Sequence, residues 1–335
     1  MDFTPSPKGG PVNSSVENKF KVVIVGAGPA GIGIAIGLAK GGIQPIALID
    51  RADRIGGLPA KYVVKKKGIP TFMVWTRARV LFGQQYVEFL QQELDRTDTR
   101  VHLNAQVISV NKASKEITLV SPDLGRQVWK ADSIVFACGA RERTITERGW
   151  ISGKRPARVY HTMQLLDLLD GNACLPMKHP VILGSDLIAY SAAAKLRIAG
   201  AEDATMLDKA PSPKSNPAER LYFRWWCQPT WTSNKQPVSI QGSDGTKTVE
   251  TKDGRALECD GVVVSGELLP NSELAAAAGL EVSMPNRLPI LKGKSSFSEP
   301  GWFATGNVIG GFHGAQWCYF HGRKVAKSVV DYLTR

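Results

Sequence analysis

Three glycines and one acid near the start of the chain have the types and the spacing that bind a dinucleotide. Gly26, Gly28 and Gly31 follow the G-x-G-x-x-G pattern, and Asp50 stands 24 positions after the first of them. In this pattern the first glycine permits a tight turn, the second leaves room for a pyrophosphate, and the third lets a helix pack closely on a strand. The acid can accept hydrogen bonds from a ribose 2′-hydroxyl. The spacing therefore predicts a dinucleotide site.

The elements that must position these residues are also visible in the sequence. The apolar run 22–25 predicts a buried parallel strand, residues 32–40 a helix, and residues 46–49 the next strand. The N-terminus of that helix would offer unpaired N–H groups and a positive dipole end to phosphate. Because glycines and Lys40 interrupt the apolar stretch, it predicts a βαβ unit and not a membrane span. Further along, residues 101–111 and 117–121 predict a hairpin that residues 126–130 continue, and residues 133–137 predict another strand.

A second stretch repeats this pattern of strand, glycine turn, helix and acid, but one of the fingerprint glycines is replaced. Residues 181–183 predict a strand, residues 187–199 a helix, and Asp208 follows Gly184 by 24 positions, the same spacing as in the first copy. The middle glycine is replaced by Asp186, which adds a Cβ and a negative charge where a pyrophosphate would lie. Two interpretations stay open: a nicotinamide site, in which Asp208 favours NAD over NADP, or a scaffold whose cofactor pocket has been lost or repurposed.

Composition describes a globular chain that can hold two domains. It has 335 residues, of which 43% are hydrophobic and 21% charged, and a formal net charge of +12. Because the lysines and arginines are mostly dispersed and no nucleic-acid motif accompanies them, we expect no nucleic-acid partner. The five cysteines lack CxxC spacing, which argues against a metal or iron–sulfur site in this chain and predicts reduced thiols in the cytoplasm.

The order of predicted elements, together with four motifs, resembles the two-dinucleotide-domain flavoproteins, the group that includes thioredoxin reductase. The motifs are GAGPAG at 26–31, Gly56-Gly57, ACGA at 137–140 and ATGN at 304–307. The match covers about residues 20–335 and implies an α/β fold of two Rossmann-like domains, the second inserted in the first. It also implies that the first fingerprint binds FAD. The missing CxxC separates the chain from thioredoxin reductase itself.

One branch of that family is more similar. Gly56-Gly-Leu-Pro59, the ARERT stretch at 140–144 and residues 266–274 resemble the FAD subunits of dye-linked amino-acid oxidoreductases, such as opine oxidase and heteromeric proline dehydrogenase. Members of that branch often act with a second flavin or iron–sulfur subunit. Since no cysteine cluster follows the flavin helix here, the chain is expected either to act alone or to obtain any cluster from another subunit. The other possible assembly is a homo-oligomer.

The resemblance also implies which residues contact FAD. Asn307 and Gly306 would lie at the pyrophosphate and ribityl, and a helix that begins near Gln316 would aim its N-terminus at the flavin. The residues expected to bind the cofactor are Gly26, Gly28, Pro29, Ala30, Gly31, Asp50, Arg51, Gly57, Leu58, Val107, Ala137, Cys138, Gly139, Gly306, Asn307, Ala315 and Gln316.

Candidates for catalysis come from the segments expected to border the flavin. His313, in a glycine-rich turn, could exchange a proton with substrate or flavin, or simply bond to backbone. Lys61 could pair with a substrate carboxylate or stay a solvated lysine, and Tyr62 beside it is a third candidate. Arg141 and Arg143 could contact an anion, or form ion pairs with Glu142 and Glu147.

The predicted organisation is a flexible tail over 1–19, an FAD domain over 20–158 and 264–335, and an inserted nucleotide-like domain over 159–263. The leading hypothesis is an FAD-dependent oxidoreductase that passes electrons between an amino- or imino-acid-like metabolite and an acceptor or partner subunit. One alternative is an NAD(P)H-dependent reductase of a protein or quinone. The other is a non-catalytic, FAD-containing scaffold or electron conduit.

Overall fold

The computed structural model of the chain describes residues 18–62, 73–76, 80–149, 157–170, 177–215, 217–224, 229–242, 247–293 and 295–335. The predicted tail lies almost wholly outside the described residues, and so do Cys174 and Cys227. The chain divides into two compact units. The first contains the residues through Gly57, Val87–Gly139 and Pro270–Arg335, and the second contains Leu58–Tyr86 and Ala140–Leu269.

The elements follow one another in chain order. Up to residue 139 they are β1 (Lys19–Val25), α1 (Pro29–Lys40), β2 (Ile46–Ile49), a 3₁₀ turn (Leu58–Tyr62), β3 (Met73–Trp75), β4 (Val80–Phe82), α2 (Gly83–Leu94), β5 (Arg100–His102), β6 (Gln106–Asn111), β7 (Glu116–Ser121) and β8 (Gly125–Phe136). Next come β9 (Ala140–Glu142), β10 (Val159–His161), α3 (Thr162–Asp170), β11 (Pro180–Leu183), α4 (Leu187–Ile198), β12 (Thr205–Leu207), α5 (Pro217–Arg224), β13 (Thr230–Thr232), β14 (Pro237–Gly242), β15 (Lys247–Thr251), β16 (Ala256–Cys259), β17 (Gly261–Val264) and β18 (Leu268–Pro270). The last are α6 (Glu273–Ala277), β19 (Val282–Ser283), β20 (Leu288–Pro289), β21 (Trp302–Ala304), a 3₁₀ turn (Gly306–Ile309) and α7 (Ala315–Leu333).

The first unit is built on one mixed sheet. Strands β5, β2, β1 and β8 lie side by side and parallel, β21 pairs with β8, and β7 and β6 extend the sheet as an antiparallel meander. All four side chains of β2 are buried, as the apolar run predicts for a strand covered on both faces. The carboxyl ends of β1, β8 and β21 therefore meet at one edge, where ligands bind in such sheets.

Strand β8 corrects a boundary in the sequence prediction. The sequence predicts separate strands over residues 126–130 and 133–137, but a single strand of 12 residues runs through both. Its first half pairs antiparallel with β7, and its second half pairs parallel with β1 and β21. The polar Asp132 interrupts the apolar pattern without interrupting the strand, because its side chain turns outward to bond Lys21 at 2.8 Å.

The stretch 101–111 differs from its predicted single strand. It breaks into β5 and β6 at Asn104, whose φ of +48° is incompatible with extended backbone. The amide of Asn104 donates to the carbonyl of Ala52, and the amide of Ala105 donates to that of Asp50. The break therefore ties this crossover to the turn that follows β2.

Helices α1 and α7 pack through bare backbone. A Cβ on Gly33 would overlap the carbonyl oxygen of Tyr319, and one on Gly322 would overlap the carbonyl oxygen of Ala30. Gly37 similarly faces Ala326. Gly33, Gly37 and Gly41 meet Tyr319, Ala326 and Val330 in that order. The two helices therefore run parallel, and their N-termini lie at the same end.

The second unit has a five-stranded parallel sheet in the order β10-β17-β11-β12-β13, with a separate antiparallel sheet β14-β15-β16. Helices α3 and α4 begin directly after β10 and β11, so both helix N-termini lie at the carboxyl edge of this sheet. Apolar side chains fill a core on each face of it. Two parallel-sheet units in one chain confirm the predicted α/β class. Within the described residues, no helix is long and apolar enough to cross a membrane.

The α1–α7 contact makes a stability prediction. Gly33→Ala adds a methyl group that would overlap the Tyr319 carbonyl, so we expect overpacking to lower the free energy of unfolding by about 1–3 kcal/mol. Because the better helix propensity of alanine returns about 1 kcal/mol, the expected net loss is up to about 2 kcal/mol. Urea denaturation measures it. Ser328→Ala on the exposed side of α7 is the control. Unchanged stability of Gly33→Ala would contradict the described close packing.

Candidate cofactor site

The turn between β1 and α1 is closed by contacts that only glycine allows. Gly26 has φ of +114°, and a Cβ there would overlap the carbonyl of Ala137 at the end of β8. A Cβ on Gly31 would overlap the carbonyl oxygen of Gly26. The glycines expected to bind phosphate therefore also let the strand end, the turn and the helix approach one another.

The N-terminus of α1 is open to a ligand. Gly28 occupies the N-cap position, where no side chain caps the helix, and Pro29 is the first helical residue. The helix thus begins three residues before the predicted residue 32, because proline at this position costs no hydrogen bond. The N–H groups of Ala30 and Gly31 have no intrahelical acceptor at this end, so they can bind an anion. Gly57 lies close by, since its Cβ would come within 3.1 Å of the Cα of Gly28.

Helix α7 brings a second open N-terminus to the same end of the unit. Its N-cap is Gly314, which also makes no side-chain cap, and Ala315 begins the helix. Gly306 lies against α1, since its Cβ would fall 2.5 Å from the Cβ of Ala30. At the start of α7 the buried Oε1 of Gln316 has no hydrogen-bond partner. Two open helix ends and an orphaned acceptor fit FAD, which presents a pyrophosphate and a hydrogen-bonding flavin ring.

Both carboxylate oxygens of Asp50 accept hydrogen bonds from backbone amides of the site. Its Oδ2 accepts from the amide of Ala27 at 2.7 Å, and its Oδ1 accepts from the amide of Ala52 at 2.9 Å. A carboxylate has about four acceptor positions, so a ribose hydroxyl can still bond to it. Arg51 beside it is exposed.

The remaining residues expected to contact the cofactor lie in different surroundings, and they do not all belong to the same unit. Val107 has its side chain in the core of the first unit, so only its backbone can face a ligand. Cys138 donates to the carbonyl of Val25 at 3.5 Å, and Gly139 accepts from the amide of Asn271 at 3.0 Å. Leu58 begins the 3₁₀ turn that groups with the second unit.

Asn307 fastens the loop that leads into α7. Its Nδ2 donates to the carbonyl of His313 at 3.0 Å, and its Oδ1 accepts from the amide of the same residue at 2.8 Å. The side chain that the resemblance placed at the FAD pyrophosphate is therefore occupied in holding His313. Both functional groups of an amide are used, which explains why asparagine suits this position.

A stack of three rings continues from His313 along α7. The rings of His313 and Trp317 lie 3.8 Å apart, and those of Trp317 and His321 lie 4.6 Å apart at 7°. His321 Nδ1 lies 2.9 Å from the hydroxyl oxygen of Thr305, directly before Gly306. Together with the hydrogen bonds of Asn307, these contacts hold the loop before α7 against the first turns of that helix. The residues predicted from the sequence include neither Trp317 nor Thr305. The four-residue spacing of Trp317 and His321 on the predicted helix does indicate that these two share a face.

Two of the catalytic candidates have other partners. Lys61 forms an ion pair with Asp167 of α3. Tyr62 is only 2% exposed, burial raises its pKa, and its hydroxyl bonds to Ser191 of α4. The Tyr62 hydroxyl is therefore enclosed among protein side chains, and a role for Tyr62 beside a substrate stays a prediction. His313, by contrast, is exposed.

Arg141 and Arg143 lie next to β9 in the second unit. Arg141 forms a bidentate pair with Glu147, with N–O distances of 2.8 and 2.9 Å, and bonding to Arg141 lowers the pKa of Glu147. The ion-pair interpretation of Arg141 thus describes its observed contacts. Arg143 lines a cavity of about 220 Å³ at the second fingerprint, together with Asp186 and Asp208.

Glu142, which the sequence indicated only as an ion-pair partner for Arg141 or Arg143, is a buried acid. It is 5% exposed, its Oε2 accepts from the amide of Met163 at 3.1 Å, and its Oε1 has no partner. Burial raises the pKa of Glu142 to about 7. Its position, directly before a long connection, carries no sequence signal for burial.

The two hydrogen bonds of the Asn307 amide lead to a prediction. Asn307→Asp keeps the bond from the His313 amide but cannot donate to the His313 carbonyl, so the loop loses a hydrogen bond and gains a repulsion. We expect about tenfold weaker FAD binding, measured by titrating FAD into apoprotein. Asn234→Asp, on an exposed turn of the second unit, is the matched control. Equal FAD affinity of both variants would refute a role in FAD binding for the hydrogen bonds between Asn307 and His313.

Glu142 makes stability depend on pH. Its folded pKa of about 7 exceeds the ordinary 4.5, so the unfolded state ionises first, and stability is lost as pH rises from 4.5 to 7. Relative to wild type, Glu142→Gln should therefore gain up to about 3 kcal/mol between pH 4.5 and pH 8. Thermal or urea unfolding across that range measures the difference. Exposed Glu258→Gln should show none, and a flat difference for Glu142→Gln would show that this carboxyl does not ionise there.

Comparison with known proteins agrees with the geometry. The family described as pyridine nucleotide-disulphide oxidoreductase matches residues 20–322. The A subunit of opine oxidase from Rhizobium meliloti is 25% identical over 346 residues, which cover 95% of this chain and 64% of that protein. The chain thus spans less than two thirds of the length of that relative.

Two further comparisons extend this result. The soluble pyridine nucleotide transhydrogenase of Vibrio atlanticus (strain LGP32) is 23% identical over 349 residues, covering 94% of this chain and 72% of that protein. The crystal structure of T. acidophilum thioredoxin reductase shares the fold, with a TM-score of 0.75 at 19% identity over 95% of this chain and 100% of that one. The resemblance inferred from the motifs is confirmed. The chain belongs to the pyridine nucleotide-disulphide oxidoreductase family.

Proposed function

We propose that the chain uses FAD to accept two electrons from a small metabolite resembling an amino or imino acid. It would pass them to an acceptor or to a partner subunit. The similarity to opine oxidase supports this substrate class, and a partner is supported because that relative is itself one subunit of its enzyme. The alternative assembly is a homo-oligomer.

The observation that carries this proposal is the state of the thiols nearest the cofactor site. Burial raises the pKa of both Cys138 and Cys318 to about 12, so neither is a thiolate near neutral pH. Each donates a weak hydrogen bond, Cys138 to a backbone carbonyl and Cys318 to Asn307, and both are free thiols. Among the described residues, no cysteine at this site is therefore suited to a dithiol relay. Electrons would then exchange directly between the flavin and a small molecule or a partner.

The first-unit residues would hold FAD as follows. The open N-terminus of α1, behind Gly28, would bind the pyrophosphate, and Asp50 would accept from the ribose. The N-terminus of α7, with Gln316, would stabilise negative charge on the ring system. When bound, FAD supplies the two-electron chemistry.

His313 is the proposed proton-transfer group. Its ring is exposed at the edge of the loop, and two bonds from Asn307 fix its backbone. A histidine held in this way can accept a proton from a substrate amine that approaches from solvent. The free thiols of Cys138, Cys259 and Cys318 support a reducing, cytoplasmic location.

A second candidate is an NAD(P)H-dependent reductase. The second βαβ unit, which ends in Asp208, and the similarity to soluble pyridine nucleotide transhydrogenase favour it. The third candidate, an electron conduit without its own turnover, shares the FAD site but would need a partner for activity.

An anaerobic titration separates these candidates. Holoprotein is mixed with proline, other amino acids or N-alkylated amino acids, and separately with NADH, and the oxidised flavin absorption is followed. We expect an amino or imino acid to bleach the flavin and NADH to leave it oxidised. Bleaching by NADH alone would establish the second candidate. Bleaching by neither compound, with activity restored by a copurifying protein, would establish the third.

A further inference from the structure

The N-terminus of α4 is already occupied by a carboxylate. Asp186 is its N-cap, and Asp186 Oδ1 accepts from the amide of Ala189 at 2.9 Å. The hydroxyl of Ser265 donates to the same oxygen at 3.3 Å. Asp186 Oδ2 lies against bare backbone, since a Cβ on Gly266 would come within 2.6 Å of it. The carboxylate therefore lies where a dinucleotide phosphate would bind.

The equivalent end of α1 is arranged in the opposite way. Its N-cap, Gly28, has no side chain, and the extended backbone angles of Gly28 and Asp186 are nearly the same, at φ −76° and −80°. The two turns thus share one backbone conformation and differ in whether a carboxylate fills the helix end. The difference lies in the side chain and not in the fold.

A second carboxylate occupies the neighbouring helix end. Glu142 accepts from the amide of Met163 at the start of α3, and α3 and α4 both begin at the carboxyl edge of the same sheet. The charge of Asp186 also helps to raise the pKa of Glu142, so the two acids interact electrostatically. A pyrophosphate bound at the N-terminus of α4 would have to displace the Asp186 side chain from the amide of Ala189.

Three cationic side chains near Asp186 already bind other groups of the protein. Lys209 pairs with Glu267 at 3.2 Å, and Lys214 lies 3.5 Å from Asp208. Arg148 donates to the carbonyls of Ser265 and Gly266, at 3.2 and 2.5 Å. These three cations line a cavity of about 220 Å³ and already have partners within the protein.

We propose that Asp186, supported by Glu142, is a specificity-determining residue that excludes nicotinamide dinucleotides from the second fingerprint. FAD is then the one dinucleotide that the described residues bind, and electrons enter the flavin from a reduced substrate and not from NAD(P)H. The inference goes beyond the proposed function, since it holds whatever the substrate is.

The test is a gain of binding. Asp186→Gly recreates Gly184-Ser-Gly-Leu-Ile-Ala189, a G-x-G-x-x-A fingerprint with an open helix N-terminus. FAD-loaded wild type and variants are titrated calorimetrically with NAD⁺ and with NADP⁺, neither of which reduces the flavin. We expect wild type to bind both with Kd above about 1 mM, and Asp186→Gly to bind NAD⁺ at least about tenfold more tightly.

Two further variants make the outcome specific. Asp203→Gly removes an exposed carboxylate of the same unit and should bind NAD⁺ no better than wild type. Asp186→Asn keeps a helix-capping oxygen without the charge and should gain less than Asp186→Gly, and it covers the case in which the glycine variant folds poorly. Tight NAD⁺ binding by wild type, or no gain in either Asp186 variant, would overturn the proposal. Because no substrate is oxidised in this experiment, failure of the proposed substrate class would leave these results unchanged.

Discussion

The contact between α1 and α7 through bare glycine backbone is the constraint on which the first unit depends. Since Gly33 and Gly322 carry no side chains, the two helices approach until backbone meets backbone, and they do so in parallel. Parallel packing brings two positive helix ends to the same edge of the sheet, where β1, β8 and β21 also end. Larger residues at these positions would separate the helices and divide the site into two halves.

The same physical chemistry of helix ends serves two purposes in this chain. In the first unit the helix ends are left open by Gly28 and Gly314, and their N–H groups are kept for a ligand. In the second unit Asp186 and Glu142 satisfy those groups internally. An intramolecular carboxylate needs no ligand to complete the helix, so the helix ends of the second unit are satisfied without a bound dinucleotide.

The parts that could be predicted from the sequence are those in which local pattern and tertiary role agree. The strand, turn, helix and second strand around Gly26 and the copy around Gly184 follow from apolar runs and glycine spacing. The continuity of β8 could not be predicted, because its two halves pair with different strands that lie far away in sequence. The bonds of Asn307 and the burial of Tyr62 also depend on residues that only the folded chain brings near. Nothing local distinguishes a ligand-facing polar side chain from one that holds a loop.

Strand β8 has an evolutionary consequence. Its second half pairs simultaneously with β1 and β21, so an insertion there would shift both neighbours out of register at the edge where the open helix ends meet. Its first half belongs to the antiparallel meander, in which β7 pairs with β8 on one side and with β6 on the other. One strand is thus divided into a portion in which length is fixed by its neighbours and a portion in which it can vary. Lineage-specific extensions of this unit are expected at the meander turns, and the length of the second half should be invariant among descendants of the same ancestor.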